Sequence, residues 1–87
     1  MWTIRIEKRA SKDISKLSKT DQRRILDFLE FKLAPRENPR ELGAALSGPL
    51  AGLWKYRVGD FRVLAKIEDR TVEIWVVQVG NRREVYR

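Results

Sequence analysis

Residues 54–63 read WKYRVGDFRV. Trp, Tyr, Val and Phe favour strands and Gly59-Asp60 is a turn signal, so the stretch predicts a β-hairpin. With Gly59 and Asp60 as a two-residue turn, Val58 pairs with Phe61 and Arg57 stands opposite Arg62 on the same face. Lys55 shares that face, because side chains alternate along a strand. Like charges directly opposite one another destabilise a sheet. An anion between them converts the repulsion into charge-assisted hydrogen bonds. Phosphate is the natural candidate, since its oxygens match the fork of a guanidinium. The competing reading is a solvated sheet face on which Trp75 covers the cationic stems and Asp60 or Glu84 neutralises the pair.

The elements that must hold these residues follow from hydrophobic periodicity. Residues 3–8, TIRIEK, alternate as a first strand with Ile4 and Ile6 on one face. Ala10, Ile14 and Leu17 form one stripe of a short helix. Ser18 or Thr20 can cap a second helix, and Asp21 suits the positive end of its dipole. Ile25, Phe28, Leu29 and Leu33 give this helix an apolar stripe, Leu26 and Phe31 widen it, and Pro35 ends it. Residues 34–52 are irregular. Asn38-Pro39 supplies a cap and a first helical residue for a single turn near residues 41–46.

Residues 53–80 predict three consecutive strands in two hairpins. Asp69-Arg70 as the second turn sets Lys66 opposite Glu73, an attractive pair. In that register residue 60 pairs with Val79. The tail NRREVYR then leaves the sheet beside the first turn and brings Arg82, Arg83 and Tyr86 close to Arg57 and Arg62. Trp54, Tyr56, Val58, Phe61, Val63, Ala65 and Ile67 are expected to face the helices. Lys55, Arg57, Arg62, Leu64, Trp75 and Val77 are expected to face the other way. The reading is one α+β domain spanning residues 1–87: an N-terminal strand, an α-helical hairpin, then a three-stranded antiparallel meander in one twisted sheet.

A chain of 87 residues supports one small domain. Its net charge of +7, from 19 basic and 12 acidic residues, favours a polyanionic partner, either nucleic acid or an acidic protein. The absence of histidine removes the usual general acid–base and the commonest metal ligand. The carboxylates fall at no metal-ligand spacing, so neither a metal nor another cofactor is expected. Without cysteine there is no disulfide and no thiol chemistry, which suits a reducing cytoplasm. No signal-peptide pattern and no run near the ~18 apolar residues of a membrane span are present, so a cytoplasmic protein with no membrane partner is expected. Phosphate-binding glycine loops, serine nucleophile elbows and internal repeats are also absent.

The hairpin WKYRVGDFRV, its lead-in LSGPLAGLW and the ending VQVGNRREVY together resemble the RelE-type toxins of the RelE/ParE toxin–antitoxin superfamily. The resemblance covers nearly the whole chain and implies the RelE-like version of the α+β fold described above. It implies a metal-independent, ribosome-dependent endoribonuclease that cuts mRNA in the decoding site. In such enzymes the 2′-hydroxyl attacks the adjacent phosphate in line, leaving a 2′,3′-cyclic phosphate and a 5′-hydroxyl. By motif position Lys55 and Arg57 match the family's basic strand pair, Arg62 the arginine after the turn, Arg82 the arginine after V-G-x, and Tyr86 the C-terminal tyrosine. These five are the implied catalytic residues, and Arg83 joins the four cations among them in binding RNA.

The implied roles follow the chemistry. Arg62 and Arg82 stabilise charge on the pentavalent phosphorus. Lys55 is the preferred base, because a lysine set among arginines gives up its proton more readily. Tyr86 is the alternative base, or a stacking surface for a nucleobase. Arg57 departs from members that carry lysine there as a proposed acid, since arginine is a poor proton donor. The implied partners are the ribosome, mRNA and an acidic, RelB-like cognate antitoxin whose segment wraps the toxin. Arg9, Lys12, Lys16 and Lys19 beside apolar positions suit such an acidic inhibitor. Two other classes fit the same fold or charge: a ParE-like gyrase poison without nuclease activity, and a non-enzymatic module that binds RNA or an acidic protein.

Overall fold

The structure is a computed structural model that describes residues 1–81; Arg82, Arg83, Glu84 and Tyr86 lie outside the described residues. Strand β1 (Thr3–Ile6) leads into helices α1 (Lys8–Ser15) and α2 (Lys19–Asp27), and α2 continues as a π-helical turn, Phe28–Leu33. A 3₁₀ turn (Pro39–Leu42), the two-residue strand β2 (Ala44–Ala45) and a second 3₁₀ turn (Gly48–Leu50) follow. Strands β3 (Trp54–Val58), β4 (Phe61–Glu68) and β5 (Glu73–Asn81) complete one five-stranded sheet of order β1-β5-β4-β3-β2. The α+β expectation is borne out. β1 lies parallel to β5, a pairing that the helical hairpin makes possible as its crossover. β2 is an addition: two alanines carry no strand signal, and β2 exists only as an edge on β3.

Local chemistry accounts for the helices. Ser18 caps α2, its Oγ accepting from the Asp21 N–H at 3.2 Å. The Ala34 N–H donates to the Leu29 carbonyl at 2.9 Å, a wide turn that shifts the helical phase. Leu29, Leu33 and Ala34 therefore point inward, while Phe31 is 66% exposed instead of widening the buried stripe. Ala10 and Ile14 of α1, with Ile25, Leu29 and Leu33, pack on Tyr56, Val58, Val63, Ala65, Ile74, Val76 and Val79 of the sheet. Trp54 and Phe61 pack against this core, as their strand phase predicts.

Tyr56 anchors the irregular segment. Its ring lies 5.9 Å from that of Phe28, and its buried hydroxyl donates to the Pro39 carbonyl at 2.9 Å. Burial pushes the phenol up to about 12. A Cβ on Gly43 would stand 2.8 Å from Tyr56 Cε1 and 3.0 Å from the Lys55 carbonyl oxygen. Gly43→Ala should therefore cost about 1–3 kcal/mol through overpacking. The measurement is a urea melt with a lowered midpoint and unchanged slope; an unmoved midpoint would show that the Tyr56 ring yields freely.

The second hairpin differs from expectation. Its turn extends over residues 69–72, closed by the Val72 N–H donating to Asp69 O at 3.2 Å, with Val72 at φ 55°. Lys66 consequently stands opposite Trp75, and Glu73 opposite Glu68. Lys66 pairs instead with Glu68 at 2.9 Å, and Glu73 with Arg5 at 2.8 Å. Further along, Ala65 pairs with Val76 but Leu64 with Gln78, so Val77 is an extra residue, a β-bulge. The expected pairing of residue 60 with Val79 gives way to Arg62 opposite Gly80 and Phe61 opposite Asn81. The end of β5 still lies beside the first turn, as expected.

Candidate functional site

The first hairpin forms in the expected register: Val58 opposite Phe61, Arg57 opposite Arg62 and Lys55 opposite Leu64. Gly59 turns the chain at φ 60°, where a side chain would be strained, and a Cβ there would lie 3.1 Å from Arg24 Nη1. Lys55, Arg57 and Arg62 thus share the face turned away from the helices. Leu64 is 1% exposed yet stands apart from the main core, as its place on this second face requires. Next to Arg62 on β5 is Gly80, which adds no side chain to the face.

Arg62 is the unusual group. Its Nε and Nη1 are buried, and among the described residues neither has a hydrogen-bond partner. Buried polar atoms are nearly always bonded, and a buried charge without a partner is costly. Among the described residues no ion pair reaches Arg57 or Arg62, and Asp60 does not neutralise them. The other end of the sheet is different. There Arg5 and Lys66 are paired with Glu73 and Glu68, around Trp75. Trp75 stands opposite Arg5 and Lys66, so it does not cover the stems of Arg57 and Arg62, contrary to the solvated-face reading.

Arg57 also borders a second feature. β2 pairs only with Trp54 and Lys55, so among the described residues no strand covers the β3 edge at Arg57. An open groove of about 1050 Å³ runs there between the hairpin and the helix formed by α2 and its π-helical turn. Arg24, Lys32 and Arg57 line it beside Phe28 and the exposed Phe31. Arg23 and Arg36 on its walls are engaged with Asp27 at 3.7 Å and Glu41 at 3.6 Å. Sequence reasoning missed Arg24 and Lys32 and assigned Phe31 to the buried stripe. The position of all three along one helix is the available signal. Arg9, Lys12, Lys16 and Lys19 are exposed on α1 and at the start of α2.

The structure therefore brings together Lys55, Arg57 and Arg62 of the expected set. The arrangement can clamp an oxyanion, with two buried guanidinium nitrogens on Arg62 and a second guanidinium, that of Arg57, directly opposite. Among the described residues no cluster of three or more His, Cys, Asp or Glu could hold a metal ion. Among those residues no helix is long and apolar enough to cross a membrane.

The fold and the sequence both have relatives. The toxin RelG of Mycobacterium tuberculosis (strain ATCC 25618 / H37Rv) is 28% identical over 86 residues, spanning 99% of this chain and 97% of RelG. The toxin RelE of the same strain is 29% identical over 86 residues, spanning 99% of this chain and 87% of that protein. In the crystal structure of the toxin–antitoxin complex RelBE2 from Mycobacterium tuberculosis, one chain superposes with a TM-score of 0.86 at 27% identity, covering 93% of this chain and 98% of that one. The family model described as the ParE toxin of type II toxin–antitoxin systems, parDE, matches residues 4–86. With nearly its whole length matched, the chain belongs to this family of type II toxins, within the RelE/ParE superfamily.

Proposed function

We propose that this toxin is a metal-independent, ribosome-dependent mRNA endoribonuclease that stops translation. The observation that carries the reading is the guanidinium edge of Arg62 beside Arg57, buried and with no partner among the described residues, a donor set that a phosphodiester would satisfy. The 2′-oxygen of the preceding nucleotide attacks phosphorus, and the P–O5′ bond breaks. The upstream product ends in a 2′,3′-cyclic phosphate and the downstream product begins with a 5′-hydroxyl. Arg62, with Arg82 from the tail, stabilises the negative charge that builds on the phosphoryl oxygens. Arg57 binds the same or the adjacent phosphate, and Arg83 adds charge along the strand. The proton of the 2′-hydroxyl passes to Lys55 as the free amine or to Tyr86 as the phenolate. The leaving 5′-oxygen takes its proton from water or a ribosomal group, since an arginine at position 57 is a poor donor.

This site clamps phosphate but has no strong acid–base pair, so the in-line geometry must come from elsewhere. Orientation alone can lower a barrier by several kcal/mol, and the decoding site supplies it. Cleavage of naked RNA by the free protein should therefore be at least ~100-fold slower than on ribosomes. Equal single-turnover rates on the two substrates would contradict the dependence.

A RelB-like antitoxin, acidic in its toxin-binding segment, is the proposed inhibitor; the relative in the RelBE2 complex supports a partner of this kind. The ribosome places the toxin in the cytoplasm. A second reading, a ParE-like gyrase poison, is favoured by the description of the matching family model. Primer extension on translated mRNA, run beside a gyrase supercoiling assay, separates them. Discrete cleavage within codons with normal supercoiling is the expected result. Supercoiling inhibition without cleavage would move the assignment to the gyrase poison, and neither effect would leave a plain binding module.

A further inference from the structure

Asp13 is the one acidic residue of α1, in the run KRASKDIS, and there it looks like an ordinary surface charge. The structure gives it another task. Its Oδ2 accepts a hydrogen bond from the backbone N–H of Val79 at 3.1 Å, across 66 residues of sequence. Val79 lies just beyond the bulge at Val77, where the ladder between β4 and β5 is interrupted. A bulge leaves backbone groups without their ladder partners, and an orphaned N–H is costly when buried.

The bulge decides which residues face the cationic site. Below it, β5 alternates regularly, with Ile74 and Val76 in the core. Continued without the extra residue, the alternation would bury Gln78 in the core and bring Val79 onto the cationic face, opposite Arg62. With the bulge, Val79 is buried at 4% exposure, and Gln78 and Gly80 stand opposite Leu64 and Arg62. The space over the Arg62 guanidinium is thereby left to a residue without a side chain. The bulge also sets the register in which β5 ends opposite Phe61, just before Arg82.

We infer that Asp13 is a positioning residue for the anion site: by holding the Val79 N–H it fixes the β5 bulge, and the bulge keeps Gly80 rather than Val79 beside Arg62. Asp13 touches neither substrate nor Arg62; it acts from the helix side through the backbone of β5. The inference deepens the ribonuclease reading and rests on it for its catalytic consequence, whereas the structural step stands independently.

The test compares the full-length wild type with Asp13→Ala and Asp13→Asn by NMR and kinetics. Asparagine keeps an oxygen acceptor and should restore what alanine loses. In the wild type the Val79 amide should exchange as slowly as the amides of the β4–β5 ladder. In Asp13→Ala its protection should fall about tenfold or more relative to that ladder, the size expected for losing a bond to a charged acceptor. The Arg62–Gly80 cross-strand contact should weaken, and Asp13→Asn should keep both. On ribosomes Asp13→Ala should lower kcat about tenfold with KM little changed, and Asp13→Asn should stay within about threefold of wild type. Should the wild type cleave nothing, the ribonuclease reading fails, and the exchange and register data decide this inference alone. Unchanged Val79 protection and an intact Arg62–Gly80 contact in Asp13→Ala would overturn it, as would equal damage by both substitutions. If Asp13→Ala does not fold, slow Val79 exchange in the wild type and its retention in Asp13→Asn support the inference, and fast exchange in the wild type overturns it.

Discussion

Replacing Arg62 with alanine should lower mRNA cleavage on ribosomes by roughly 100- to 1000-fold, the usual cost of removing one donor aimed at developing oxyanion charge. The same change should leave stability unchanged or raise it. Among the described residues the buried Nε and Nη1 atoms have no partners, so alanine is expected to remove an uncompensated burden instead of a bond. A site kept at a cost to stability is the pattern expected of a residue retained for binding or catalysis. Arg62→Lys should recover only part of the activity, because an ammonium cannot offer two parallel donors to a phosphate. Paired thermal melts and single-turnover cleavage measure both effects. An Arg62→Ala protein that cleaves at the wild-type rate removes Arg62 from the site, and one that is inactive only because it unfolds removes the anion argument.

Ile25→Ala should cost about 2–5 kcal/mol, the range for truncating a fully buried branched chain. Ile25 is 0% exposed in the helix–sheet core, and a domain of this size has about 5–15 kcal/mol in total. Phe28 and Phe61 are larger but only partly buried, and they pack against the core from its margin. Their alanine variants should therefore cost less per atom removed than Ile25→Ala. Urea melts of the three variants decide the order; a near-neutral Ile25→Ala would mean that the hairpin α1–α2 is not held by this face.

The first hairpin was legible in the sequence because two short-range signals agree there. Gly59-Asp60 sets a turn of fixed length, and the aromatic and β-branched residues set the phase, so Arg57 and Arg62 could be paired without any tertiary information. The second hairpin had only the weak Asp69-Arg70 signal, and the chain takes two further residues into the turn, with Val72 at positive φ. That adds two to the register and preserves the faces. The bulge at Val77 adds one more and exchanges them beyond that point. Nothing local marks it, since VEIWVVQVG is apolar on both faces and Asp13, whose carboxylate accepts from the Val79 N–H just beyond the bulge, is 66 positions from Val79. Phe31 was misplaced for a related reason. A 3.6-residue period puts it near the apolar stripe, but the wide turn that ends in the Ala34–Leu29 bond rotates it outward. Lys55, Arg57 and Arg62 were recoverable as a cluster, whereas burial of the Arg62 Nε and Nη1 atoms depends on packing that no spacing rule encodes.

The most direct test of ribosome-dependent cleavage uses purified toxin, ribosomes programmed with a defined codon in the decoding site, and two versions of the mRNA. One is all-ribose, and the other carries a single 2′-deoxynucleotide immediately 5′ of the scissile phosphate. Cleavage of the first only is expected, with a 2′,3′-cyclic phosphate on the upstream fragment and a 5′-hydroxyl on the downstream one. Cleavage of the deoxy version, a 5′-phosphate on the downstream fragment, or intact all-ribose mRNA would contradict this mechanism.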